Sequence, residues 1–164
     1  MYLRKLQLKD APLMLEWMHD DFVVKDLHAN FSKKTIEDCN QFIIESENQM
    51  CNLHLAIVDD NDEYMGTVSL KNINGRTAEF AITVRKIAMG KGYSSYGMSE
   101  IIKIGLCEMG LESVYWCVNP NNNRAIRFYE KNNYHRIDSS LLEICSGYSV
   151  TQIKKYIWYQ VEGK

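Results

Sequence analysis

Proline is nearly absent from this chain of 164 residues: only Pro12 and Pro120 occur. A proline-rich linker architecture is therefore excluded. Long apolar runs are missing too, and none approaches the ~20 residues that a membrane span needs. The opening stretch Met1-Tyr2-Leu3-Arg4-Lys5-Leu6-Gln7 is too polar for a signal peptide, so the expected location is cytoplasmic, with no membrane partner. An excess of positive charge is lacking: 19 basic residues face 21 acidic ones, a net charge of −2. Duplex binding needs a basic surplus against phosphates, so no nucleic-acid partner is expected. No pair of cysteines has C-x-x-C spacing. Cys39, Cys51, Cys107, Cys117 and Cys145 are odd in number, and His19, His28, His54 and His135 are as scattered. Neither a disulfide framework nor a metal site follows from such spacing, and buried thiols are the expectation.

What remains is an ordinary globular composition, 46% apolar and 24% charged, in a length that suits one domain over residues 1–164. Alternation over 2–8 predicts a strand. Asp10 and Pro12 predict the start of a helix over 11–19. Residues 20–31 are irregular, and Ser32 opens a second helix running to about 47. Strands follow at 53–58, 64–72 and 77–84. The acidic run Asp59–Glu63 reads as a turn rather than a calcium loop, because Tyr64 and Leu70 occupy the positions that need Gly and Glu. Asn74-Gly75 between two strand patterns is a strong hairpin signal. A glycine turn at 85–92, a helix at 93–109, a strand at 113–118, a helix at 122–132 and strands at 134–139 and 152–161 complete a mixed α+β order.

Two segments carry chemistry. Gly90-Lys91-Gly92 joins a strand to a helix N-terminus, where free N–H groups and the helix dipole favour an anion. It is no P-loop, because Gly92 stands where Ser or Thr is required. A dinucleotide fingerprint needs a parallel βαβ unit, whereas the preceding strand is the arm of a hairpin. A coenzyme A pyrophosphate loop and an ordinary loop remain. The second segment runs from Val118 to Tyr134: an asparagine cluster precedes a helix in which Asn122, Ala125 and Tyr129 are spaced three and four apart, with Ala125 and Tyr129 on one face.

Taken together, Gly90 and Gly92, then Asn122, Ala125 and Tyr129, resemble the GNAT superfamily of N-acetyltransferases. Its signatures are Gln/Arg-x-x-Gly-x-Gly/Ala and Asn-x-x-Ala-x-x-x-Tyr-x-x-x-Gly-Phe. The chain departs from them at Ile87, Asn133 and Tyr134. The stretch around Glu79–Ile82 and Met89–Tyr93 is similar to the branch that includes ribosomal-protein N-terminal acetyltransferases. The resemblance implies a central, mostly antiparallel twisted sheet of about seven strands flanked by about four helices. It also implies an acyltransferase that moves an acetyl group from acetyl-CoA to a primary amine by direct attack in a ternary complex. The amine would belong to a small molecule, an amino sugar for example, or to a protein N-terminus. Tyr129 would be the general acid and Glu79 the base, with His54 and Glu112 as weaker candidates. Main-chain groups of Ile82 and Val84 would pair with pantetheine. The segment Met89, Gly90, Lys91, Gly92, Tyr93 and Ser94 would hold the pyrophosphate, while Asn122 and Ala125 meet the cofactor arm. Residues 19–35, with Asp20, Asp21 and Asp26, would set the acceptor. The aromatic terminal strand suggests a homodimer. A non-catalytic CoA-binding or regulatory module is the alternative.

Overall fold

The computed structural model describes residues 1–27, 29–139 and 148–163; His28 and Cys145 fall outside them. Seven strands form one sheet: β1 (Tyr2–Lys5), β2 (Leu53–Val58), β3 (Tyr64–Lys71), β4 (Thr77–Val84), β5 (Ser113–Val118), β6 (Arg136–Ile137) and β7 (Ile157–Glu162). Among the described residues six α-helices flank it: α1 (Ala11–Met18), α2 (Asp21–Val24), α3 (Ile36–Ser46), α4 (Tyr93–Lys103), α5 (Asn123–Lys131) and α6 (Val150–Lys155). The spatial order is β1-β2-β3-β4-β5-β7-β6.

Side-chain alternation along the strands gives the sheet two buried faces. Ala56 and Val58 point into one cluster with Met14 and Trp17 of α1 and Cys39 and Ile43 of α3. Ile57, between them, points into the other with Met98 and Ile101 of α4 and Ile126 and Tyr129 of α5. Gly97 of α4 makes that second contact possible, since a Cβ there would stand 2.4 Å from Cδ1 of Ile57.

Turn chemistry fixes the hairpins. The Asp59 carboxylate accepts from the N–H groups of Asn61 and Glu63, at 2.9 and 2.8 Å. The Asn74 side chain does the same for Arg76 and Thr77, at 3.0 and 2.8 Å, with Gly75 at φ 89°.

Several expectations are corrected. Asp10 stands at the start of α1 but does not cap it: its buried carboxylate is forked by Arg4 at 2.7 and 2.8 Å and also takes the Gln7 N–H. The second helix is capped by Thr35 in a capping box with Asp38, not by Ser32. The first strand stops at Lys5. Residues 21–24 form a short helix within the segment expected to be irregular. The α-helix over 93–109 gives way to a π-helical turn at Ile104–Glu108, where Gly105 packs on Leu70, Leu111 and Val114. The strand expected at 134–139 shrinks to two residues. The one expected at 152–161 is a helix to Lys155 and a strand from Ile157. Within that last strand Trp158 and Tyr159 are fully buried in the chain's own core.

The correction that matters most is at β4. It pairs antiparallel with β3 and parallel with β5, so β4-α4-β5 is a parallel crossover unit after all. A hairpin signal describes one edge of a strand and leaves the other edge open.

Candidate active site

Strands β4 and β5 pair only at Thr77, Ala78 and Glu79 against Ser113, Val114 and Tyr115. Beyond that point they separate, while β4 keeps its register with β3 out to Val84. The N–H of Arg85 donates to the Met65 carbonyl at 2.8 Å, which makes Met65 and Arg85 a hydrogen-bonded antiparallel pair. Bonding and non-bonding pairs alternate along such a ladder. The main-chain N–H and C=O of Val84, Ile82 and Phe80 therefore turn away from β3 into the open seam. Buried main-chain groups need partners, and this row is one that an extended, amide-containing ligand can satisfy.

The seam widens into a cavity of about 470 Å³. Residues Glu79 to Val84 form one wall, and Cys117, Val118 and Asn119 lie opposite. Asn122, Arg124, Ala125, Phe128 and Tyr129 of the α5 region close a further side. Met89, Gly90 and Ser94 stand at the glycine turn, and Val23, Asp26, Leu27, Ala29 and Phe31 come from the α2 region.

The glycine turn is built for close approach. Gly90 and Gly92 have φ of 74° and 91°, and a Cβ on either would meet nothing within 4 Å. These glycines are there for backbone conformation and leave open space above the turn. Tyr96 closes the first turn of α4 on the Gly92 carbonyl at 3.0 Å, leaving the N–H groups of Tyr93, Ser94 and Ser95 as helix-start donors. Within the expected pyrophosphate run, the Met89 N–H already bonds the Lys86 carbonyl at 3.2 Å, and the Lys91 N–H reaches Ala88 at 3.4 Å. Met89 lines the cavity, whereas Lys91, Gly92 and Tyr93 stand outside its wall. Arg85 anchors the turn from below: it is buried and bridges Glu16 of α1 (3.0 Å) and Glu63 (2.7 Å).

Asn122 caps α5 by accepting the Ala125 N–H at 3.0 Å. At the far end of this helix Asn133 has φ 61°, so it takes the left-handed conformation that glycine supplies in the related signature. Tyr129 is buried against Trp116 and Tyr159, with ring centroids 5.4 and 5.0 Å away. Burial, then the neighbouring Tyr159, Cys117 and Tyr134, raise its hydroxyl well above the usual tyrosine range. Its proton is therefore kept at neutral pH.

Glu79 is buried, with three donors on its carboxylate: Tyr148 at 2.7 Å and Lys71 at 3.3 Å on Oε1, and Asn72 at 3.1 Å on Oε2. Tyr148 also accepts a long contact from the Cys117 thiol at 3.6 Å. Sequence reasoning missed Tyr148, which lies 69 residues from Glu79 and has no local signal. Burial and then the charges around Cys117 and Glu79 push its hydroxyl up strongly.

Alternation places these groups on opposite faces of the sheet. Glu79, Tyr115 and Cys117 lie on one side, with Tyr115 in a cluster with Tyr148 and Trp158. Phe80, Trp116 and Tyr129 lie on the other. Residues of both faces line the cavity where the strands part.

The weaker base candidates fall away from the cavity. His54 bonds Ser69 at 2.7 Å and packs edge-on to Phe42. Glu112 is exposed and forked by Arg76 at 2.9 and 2.7 Å. Of the acidic residues in 19–35, Asp26 lines the cavity while Asp20 caps α2. Among the described residues no group of three or more His, Cys, Asp or Glu could hold a metal ion, and no helix is long and apolar enough to cross a membrane.

A seven-stranded sheet with a parted β4/β5 seam, a glycine turn feeding a helix and a buried tyrosine beside the opening define an acyl-CoA-type transferase fold. The model of the acetyltransferase (GNAT) domain matches residues 1–135, and the chain belongs to that family of N-acetyltransferases. It is 27% identical over 134 residues to the uncharacterized N-acetyltransferase p20 of Bacillus licheniformis, covering 76% of this chain and 73% of that protein. Its fold is similar to the spermidine N-acetyltransferase of Vibrio cholerae solved with CoA and spermine: TM-score 0.79, 17% identity, 98% of this chain and 94% of that one. The PaiA N-acetyltransferase of Thermoplasma acidophilum, solved with coenzyme A, gives a TM-score of 0.72 at 18% identity and covers 98% of each chain.

Proposed function

We propose that the chain transfers the acetyl group of acetyl-CoA to the primary amine of a small cationic acceptor, within a ternary complex. The parted β4/β5 seam is the observation that carries this reading. It offers the unpaired main chain of Ile82 and Val84 to the pantetheine amides. The turn at Gly90–Ser94 offers helix-start N–H groups to the pyrophosphate. Asn122 and Ala125 flank the arm between them.

The residues then divide the proton work. Glu79, on one face of the sheet, takes the ammonium proton through a water. The freed nitrogen attacks the thioester carbonyl, a C–N bond replaces the C–S bond, and the second proton shed by the new amide nitrogen restores the Tyr129 phenol. Tyr129, on the other face, gives its phenolic proton to the departing sulfur. A placed acid or base is worth about 10²–10⁴-fold in rate. Glu79 and Asp26 line the cavity together with Lys71 and Arg124, so the wall charges balance and the Asp26 carboxylate is the acidic group left to meet an amine. The spermidine N-acetyltransferase of similar fold supports that class.

Residues 1–164 are taken as one acetyltransferase domain. This is supported by β7, which inserts between β5 and β6 although it lies beyond the family match.

An acceptor panel of polyamines, amino sugars and N-terminal peptides, with acetyl-CoA and free-thiol detection, tests the reading. Thiol release with a small polyamine or amino sugar is expected. Release with peptides alone would move the acceptor to a protein N-terminus. CoA binding with no release for any amine would make the chain a non-catalytic CoA-binding module.

A further inference from the structure

Lys71 stands directly opposite Glu79 across the β3/β4 ladder, and opposite residues of an antiparallel pair share one face of the sheet. Its ammonium reaches Oε1 of Glu79 at 3.3 Å. The Lys71 side chain is 36% exposed and that of Glu79 only 6%, so the amine sits between solvent and a buried carboxylate. Both residues line the cavity, as Cys117 and Tyr129 do. Among the described residues Lys71 is the single lysine on that wall.

The two members of this pair have matching chemistry. A lysine side chain ends in a primary amine, the group that the proposed reaction acetylates. Glu79 is the group proposed above to take the proton from such an amine. An acceptor from solution has to be captured and oriented, whereas Lys71 is already tethered beside the carboxylate. Tethering a reactant removes the entropy cost of bringing it in.

We propose that Lys71 is the protein's own acceptor: with no amine supplied from solution, the acetyl group of bound acetyl-CoA passes to Lys71 Nζ. This inference rests on the acetyl-CoA reading above. The Lys71 ammonium gives one proton to Glu79 Oε1, and its nitrogen attacks the thioester carbonyl. A C–N bond forms as the C–S bond breaks, the amide nitrogen sheds its second proton, and the departing sulfur is protonated. The products are N-acetyl-lysine, coenzyme A and one released proton. Glu79 keeps Tyr148 and Asn72 at 2.7 and 3.1 Å, and the new amide N–H replaces the ammonium as its third donor. The change also removes one positive charge from the wall. Glu79 and Asp26 then face Arg124 alone, a net negative lining that draws a cationic acceptor.

Intact mass and peptide mapping of the full chain, incubated with acetyl-CoA and no added amine, test this, with turnover of added amines measured in parallel. One acetyl group is expected at Lys71, arriving at least about tenfold faster than at Lys103 and Lys131. Those two are exposed, and their slow chemical acetylation is the internal reference. The rate constant at Lys71 should not depend on protein concentration, and saturating coenzyme A should suppress labelling there alone. Lys71→Arg, which keeps a positive charge opposite Glu79, should lose that acetyl group and gain none elsewhere. Labelling of Lys71 no faster than of Lys103 and Lys131, in a chain that acetylates added amines, overturns the proposal. So does labelling that persists under saturating coenzyme A, or a rate that rises with protein concentration, which would make the transfer intermolecular. If thiol is released neither with nor without an added amine, the acetyl-CoA reading itself fails, and that outcome is distinct from the others.

Discussion

The seam between β4 and β5 has two ends built from the same two strands. At the closed end, Thr77–Glu79 pair with Ser113–Tyr115, and the neighbouring polar groups satisfy each other, as Arg76 and Glu112 do. At the open end, Phe80–Val84 keep one partner and lose the other, and the side chains that gather there are those with chemistry to do. The difference shows how one strand serves as scaffold and as site: pairing saturates main-chain groups, and parting makes them available. Changes to side chains that line the cavity, Glu79 at the point of parting included, should therefore move activity, and changes in paired regions away from the cavity should move stability alone.

The largest effect expected at the open end is from Tyr129→Phe. The ring stays packed on Trp116 and Tyr159 while turnover falls by about 10²–10⁴-fold, with CoA affinity little changed by calorimetry. Unchanged turnover would remove Tyr129 from the mechanism. Next comes Glu79→Gln, expected to lower turnover about 10²-fold and to move the pH dependence of kcat/KM for the amine. The KM for acetyl-CoA should hold. A rate and profile like wild type would assign deprotonation to another group.

A smaller effect, on both properties, is expected from Gly92→Ala. A non-glycine residue in the left-handed region costs about 1–2 kcal/mol, read by denaturant melts. The new Cβ would also occupy the open space above the turn and weaken CoA binding.

In the paired region, His54 should act on stability alone. Burial, with Lys71 adding its charge, pushes its imidazole from 6.5 down to about 4. The unfolded chain takes up its proton near 6.5, and the folded chain holds out until about 4. Stability present above pH 6.5 is therefore lost as pH falls through that window. His54→Gln should flatten the slope of the denaturation midpoint between those values and leave turnover at neutral pH intact. The smallest effect belongs to Glu112→Gln, which should leave turnover unchanged. A turnover defect there would blur the distinction between the two ends.

Much of this architecture was legible locally. Asn74-Gly75 announces its hairpin, and the Asn122, Ala125, Tyr129 spacing places a cap and a buried ring on one helix. Gly90 and Gly92 mark a positive-φ turn. Other features had local signals that were passed over: Ser149 and Gln152 form a capping box ahead of α6, within a stretch expected to be strand. The rest had none. The parallel β4/β5 pairing depends on which strand edges meet, a long-range property that no local pattern records. Tyr148 and Glu79 are brought together across the chain by the fold.

The central claim is that coenzyme A lies along the unpaired edge of β4. Amide hydrogen exchange resolved at Ile82 and Val84, with and without coenzyme A, tests it directly. The account predicts rapid exchange at both in the free protein and strong protection on binding, with Ala78 at the closed end unchanged. Coenzyme A that binds by calorimetry yet leaves Ile82 and Val84 unprotected would contradict it.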